Sequence, residues 1–246
     1  MSAEKTTDVA REPRDETIRG RAQVLFNQHL RAIYERTDKL FGRLIIIQWL
    51  AGILGAYILS PRSWTGASYD THVHVWAAIF LGGFISFFPV LLARFRRGSV
   101  WTRHTIAAAQ MMMSALLIHL SGGRIETHFH VFGSLAFLAF YRDWRVLMTA
   151  SVVVYLDHFL RGIYWPQSVY GVVVASQWRA VEHAAWVGFE LIFLLIAIRQ
   201  SVQEMWQIAL RQVQLERTNE NVEALVRERT SELQEANSQM EDFCYS

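Results

Sequence analysis

Asp70-Thr71-His72-Val73-His74-Val75-Trp76 opens one long apolar run, and Glu126-Thr127-His128-Phe129-His130-Val131-Phe132 opens another. Both stretches keep the order acid, Thr, His, apolar, His, Val, aromatic. After Trp76 no charged residue appears before Arg94, and after Phe132 none appears before Arg142. A helix needs about 20 mainly apolar residues to cross the hydrocarbon of a bilayer. These two stretches therefore read as the mouths of membrane spans, with histidine and carboxylate kept where burial is expensive.

The same reading extends outward in both directions. Apolar runs fall at 41–59, 71–95, 101–120, 127–141, 146–160 and 181–198, separated by short charged clusters. This predicts an all-α integral membrane bundle of six helices. The fourth and fifth runs are short and need local thinning or polar ends to span, with a tight hairpin at 141–145 between them. The chain of 246 residues is 52% hydrophobic with nine Trp and four Pro, and its 19% of charged residues gather at the two ends and between the runs. A single cysteine, Cys244, excludes a disulfide framework and a thiolate metal site. The first 40 residues are charged and lack the apolar core of a signal peptide.

Lys and Arg set the orientation. Arg36, Lys39, Arg43, Arg94, Arg96, Arg97, Arg103, Arg142, Arg145 and Arg199 collect at one set of span ends; Arg62, Arg124, Arg161 and Arg179 stand at the other. The richer set faces the cytoplasm, so both termini are expected there, in a multi-pass protein of the bacterial inner membrane. Trp64, Trp76, Trp101, Trp144, Trp178 and Trp186 fall near span ends, as interface anchors do.

Three domains are expected. Residues 1–40 form a cytoplasmic segment, polar and disordered to about residue 16 and then an amphipathic helix; 41–199 form the six-span domain; 200–246 form a signalling helix. In the last, a heptad runs through Asn219, Val226, Leu233 and Met240 at a, and through Leu215, Val222, Ala236 and Phe243 at d, with Arg229 as the one poor d residue. A lone Asn at a favours a parallel two-stranded coiled coil, hence a homodimer.

Of nine histidines, seven map to the outer level of the bundle: His72, His74, His119, His128, His130, His158 and His183. Acids accompany them at Asp70, Glu126, Asp157 and Glu182. Imidazole with carboxylate and no thiolate suits zinc, iron(II), copper(II) or manganese, as one ion or two in a shared cage; haem b with two axial histidines is the alternative. If the helices are regular to their starts, positions four apart share a face. Asp70 then backs His74, and Glu126 backs His130, making His74 and His130 the pair expected to face a common centre. Trp186 and Glu190 are candidate cofactor contacts on the last span.

The run Glu228-Arg229-Thr230-Ser231-Glu232-Leu233-Gln234-Glu235-Ala236-Asn237, continuing through Met240 to Ser246, resembles the signalling helix of bacterial sensor histidine kinases. The membrane stretches 126–144 and 157–170 are similar to the multi-histidine sensor regions that precede such kinases. The resemblance implies an input module, not an active kinase: the phosphoacceptor histidine and ATP-binding domain lie outside this chain, and a response regulator would be reached through them. The lipid bilayer is an expected partner and nucleic acid is not. Two rival classes share these residues: a membrane di-iron oxidase or hydroxylase, and a proton sensor of clustered histidines.

Overall fold

The structure is a computed structural model that describes residues 3–176 and 178–245, with side chains from Glu16 to Glu241 except those of Thr65 and Gln177. Helix α1 (Ala3–Leu59) leads into an antiparallel hairpin of β1 (Arg62–Thr65) and β2 (Ser68–Thr71). Helix α2 (Val73–Trp76) passes through a π turn (Ala77–Leu81) into α3 (Gly82–Phe95). Then come α4 (Val100–Leu120), α5 (Ile125–Leu138) with a 3₁₀ turn at Ala139–Tyr141, α6 (Trp144–Tyr164), the short α7 (Pro166–Tyr170) and α8 (Trp178–Tyr245). The chain divides into two compact units, one of residues 29–202 and one pairing 1–28 with 203–246.

Among the described residues, four helical stretches are long and apolar enough to cross a membrane: Glu16–Leu59, Val73–Phe95, Trp144–Tyr164 and Trp178–Glu241. The other two expected spans, α4 and α5, fall short of that description for different reasons. Helix α4 has 21 residues but buries Thr102, Arg103, Gln110 and Ser114. It packs against α3, α5 and α6, so protein surrounds it and its surface needs less hydrophobicity than a lipid-facing one. Helix α5 has 14 residues and rises about 21 Å, less than the thickness of the hydrocarbon.

Two expectations are corrected. The described chain is predominantly helical, as expected, but 62–71 form a short hairpin in which Asp70 lies opposite Ser63 on an exposed strand. The backbone is extended at Asp70, so the helical spacing that would put its carboxylate beside His74 does not exist. The polar N-terminus expected to be disordered is helical from Ala3; extending a helix already nucleated costs little. The hairpin at 141–145 is present and tight: Arg142 takes a left-handed conformation (φ 54°) and the Asp143 side chain caps α6 by accepting from the Arg145 N–H.

The π turn has a visible cause. Trp49 of α1 lies against Gly82 and Gly83, where a Cβ would meet its ring at 2.8 and 3.1 Å. Its indole N–H donates to the carbonyls of Ala78 (3.0 Å) and Ile79 (3.2 Å), within the π turn. Two glycines thus admit the ring, and the ring satisfies carbonyls at the point where the regular ladder is broken.

At the opposite end of the same unit, α1 is fastened by a buried carboxylate. Asp38 has no exposed surface and accepts from the Tyr141 hydroxyl (2.7 Å) and the Gly98 N–H (2.6 Å). Tyr141 stacks on Phe41 (5.7 Å, 8°), and Arg103 pairs with Asp143 (3.0 Å) beneath the Tyr34 ring. Tyr141→Phe keeps the stacking and removes one hydrogen bond to a buried charge. A loss of about 2 kcal/mol is expected, read as a lower unfolding temperature in lipid nanodiscs.

In the unit of the two termini, Ala22, Ala209 and Val213 are buried, Phe26 meets Trp206 edge-on (5.7 Å), and Ile18 and Leu25 pack beside them. From Leu215 to Glu241 all but one of the side chains, the half-buried Arg217, stand exposed. Leu215, Val222, Leu225, Val226, Leu233 and Met240 are more than half exposed on this mostly polar length of α8. The expected d residue Phe243 lies outside the described side chains.

Candidate functional site

Helix α4 ends, α5 begins, α6 ends and α8 begins at one end of the bundle, and there three imidazoles from three helices meet. The ring centroids of His128 and His183 are 5.3 Å apart, those of His128 and His158 5.5 Å, and those of His158 and His183 5.7 Å. In each ring Nδ1 faces a carbonyl one turn back on its own helix: Arg124 for His128 (2.9 Å), Val154 for His158 (3.1 Å) and Arg179 for His183 (2.8 Å). A carbonyl only accepts, so Nδ1 carries the proton and the neutral ring leaves a lone pair on Nε2. The Nε2 of His128 is buried without a partner.

The three rings line a cavity of about 220 Å³ together with Ser151, Tyr155 and apolar side chains that include Val131, Phe132, Val154, Val187 and Leu191. Its wall therefore offers electron-pair donors in an apolar frame. Such a wall suits a cation or a hydrogen-bond donor and does not suit an anion. Among the described residues no group of three or more His, Cys, Asp or Glu side chains is drawn together into metal-holding geometry. The rings touch, and closing on an ion needs them to turn.

Asp157 stands behind His158. Its Oδ2 is 3.3 Å from the His158 Nδ1, and its carboxylate takes a two-pronged contact from Arg161, whose Nε is 2.8 Å from Oδ1. Arg161 also donates to the Ser168 hydroxyl (2.9 Å), which lies 2.9 Å from the His119 Nδ1. A continuous polar chain thus runs from His158 through Asp157, Arg161 and Ser168 to His119. Two tight backbone contacts hold Ser168 in reach: a Cβ on Gly123 would meet the backbone of Gly171 and Val169, and both glycines have positive φ, 76° and 67°.

His119 belongs to a second group. Its centroid is 4.9 Å from that of His74, which is 4.3 Å from that of His72; Trp165 closes on His119 from the other side (4.8 Å). His72 caps α2, its Nδ1 accepting the His74 N–H at 3.1 Å. The Nδ1 of His74 is buried without a partner.

His130 joins neither group. It lies in the helical core, with Nδ1 2.7 Å from the Ser114 hydroxyl and Nε2 3.0 Å from the Gln48 amide; Gln110 donates to Ser134 alongside (3.1 Å). The expectation that His74 and His130 share a centre is therefore corrected. Residues two apart on α5 point to opposite sides, and the side that meets α6 and α8 is the one that carries His128. Glu126 is exposed and pairs with Arg124 (3.4 Å) rather than backing His130. Glu182 is exposed beside His183. Trp186 is 65% exposed and meets Phe189 (6.2 Å), outside the cavity wall. Glu190 is half-buried, with Oε2 buried and unpartnered. Tyr170, on α7, faces His183 (5.3 Å); its hydroxyl is buried without a partner, and burial pushes its pKa up.

Four polar residues of the core network, Gln48, Gln110, Ser114 and Ser134, did not stand out in the chain. The signal for them is polarity in mid-span. Arg161 stands four residues after Asp157, a spacing that pairs charges on a helix.

No protein family profile matches the chain, and no solved structure matches it. The transducer protein Htr8 of Halobacterium salinarum is 32% identical over 92 residues, which are 37% of this chain and 13% of the transducer. The chain thus spans a small fraction of the length of the curated relative it matches.

Proposed function

We propose that the chain is the membrane input module of a signal-transducing protein, built on six spans with both termini cytoplasmic, and that it works as a parallel dimer through its tail. The observation that carries this reading is the position of His183. It closes the three-histidine group at the start of α8, and α8 is the helix that runs on to the exposed apolar stripe at Val222, Val226, Leu233 and Met240. A change at the histidines is a change at the head of the output helix.

The donor set fits a borderline transition-metal ion: three imidazole nitrogens free to ligate, each held in one tautomer by a carbonyl behind it, with Asp157 as the outer carboxylate of His158. His128, His158 and His183 are the residues that would hold such an ion, and it would supply positive charge and Lewis acidity there. Helices α5, α6 and α8 would be drawn together by that ligation. The kinase resemblance of the tail and the name of the halobacterial relative both support a signalling output; a histidine kinase downstream is the proposed effector.

The test is a spin-label pair at Leu233→Cys in a Cys244→Ser background, in nanodiscs. Elemental analysis before and after metal loading is expected to find bound ion, and the interprotomer distance at residue 233 to change on loading. No stoichiometric ion sinks the metal reading. A bound ion with an unchanged distance sinks the coupling. Monomeric tails sink the dimer.

A further inference from the structure

We propose that His72, His74 and His119 form a second cation site, separate from the His128–His158–His183 group and specific for an imidazole-loving divalent ion such as Zn²⁺ or Cu²⁺. Binding there exchanges the cap of α2 for a metal ligand. The site stands on its own residues; only its placement on the extracytoplasmic face rests on the orientation proposed above.

The His74 ring touches both of the others, His72 at 4.3 Å and His119 at 4.9 Å between centroids, and His119 comes from a separate helix, α4. A buried imidazole nitrogen is ordinarily hydrogen-bonded by a neighbouring protein group. Here the Nδ1 of His74 is buried with neither hydrogen-bond donor nor acceptor opposite it. His119 is oriented from behind through Nδ1 by Ser168, itself held by Arg161, which is how an outer partner sets a ligating histidine. No carboxylate lies within the group: Asp70 is on the exposed strand of the hairpin. Donors are therefore nitrogen alone, which selects copper or zinc over magnesium or calcium.

His72 makes the site a switch rather than a rigid cage. As the cap of α2, its Nδ1 accepts the N–H of His74, so the neutral ring carries its proton on Nε2. To ligate through Nε2 it must move the proton to Nδ1, and a protonated Nδ1 can no longer accept. Ligation by His72 and capping of α2 are mutually exclusive. Below the cap lies the π turn at Ala77–Leu81, where the backbone ladder is already irregular and can take up the readjustment.

Zn²⁺ is titrated into the full chain in nanodiscs and the bound ion counted, for the native protein and for His119→Ala and His158→Ala. Two sites in the native protein, falling to one in each variant, support the proposal. One site in the native protein that His119→Ala removes and His158→Ala spares also supports it, and then only the first group fails. One site that His158→Ala removes and His119→Ala spares overturns it. If a variant does not fold, the native protein still decides: Zn²⁺ is expected to speed hydrogen exchange at the His74 amide at least about tenfold, as its cap is lost. Unchanged or slower exchange there overturns the cap exchange.

Discussion

Replacing His183 by alanine is expected to remove one transition-metal ion per chain and to weaken the affinity of the three-histidine group at least about 100-fold. Loss of an outer partner of a ligand costs about 10- to 100-fold, and loss of a ligand costs more. His183 is the best of the three to remove, because its side chain is only half-buried and its Nδ1 is bonded to a carbonyl of its own helix. His128 and His158 are buried, so truncating them also opens a hole in the bundle. The variant should keep its helicity and its unfolding temperature while losing the metal. Cobalt substitution gives a direct reading: the visible absorption of a bound Co²⁺ is expected in the native protein and absent in His183→Ala. An undiminished band in the variant means that the ion sits elsewhere.

The largest stability effect is expected from Gly123→Ala. Two costs coincide at that position. A left-handed backbone costs a residue with a Cβ roughly 1–2 kcal/mol, and the new Cβ runs into the backbone of Gly171 and Val169. Backbone cannot rotate away as a side chain can, so α7 must move. The expected loss is about 3 kcal/mol or more, among the large effects for a single substitution. Gly122→Ala is the internal control: it has nearly the same φ, 74°, but nothing within 4 Å of the new Cβ. It should lose only the backbone cost. Thermal unfolding of the two variants in the same lipid separates strain from collision. Gly123→Ala should also part Ser168 from His119, so the polar chain behind His158 is broken by a change that touches no histidine.

The helices were legible because hydrophobic runs and their charged borders are local properties. The hairpin at 62–71 was not: it is short, and the motif beginning at Asp70 imitates the start of a helix. That one misreading carried the pairing of Asp70 with His74 along with it. The histidines at the mouths of the spans could be gathered at one level from topology, and six of the seven do meet there, in two groups. What the chain could not disclose is which side of each helix faces which neighbour. His128 and His130 differ by two positions, and the choice between them depends on how α5 is rotated against α6, α8 and α1. Rotation is set by packing of whole helices, by Ser114 and Gln48 accommodating one ring and the α6–α8 cleft the other.

The π turn beside Trp49 also bears on how relatives of this chain should be compared. A π turn contains one residue more than the α turn it replaces. A relative lacking one residue between positions 77 and 81 would run as regular α-helix through this region, and everything before the gap would be rotated by about 100°. Its histidine pair would then meet a different neighbour, with the Asp-Thr-His-Val-His lettering intact. A one-residue gap at this place in an alignment is thus a change of site, while the same gap in the loop at 97–99 would leave the histidines where they are.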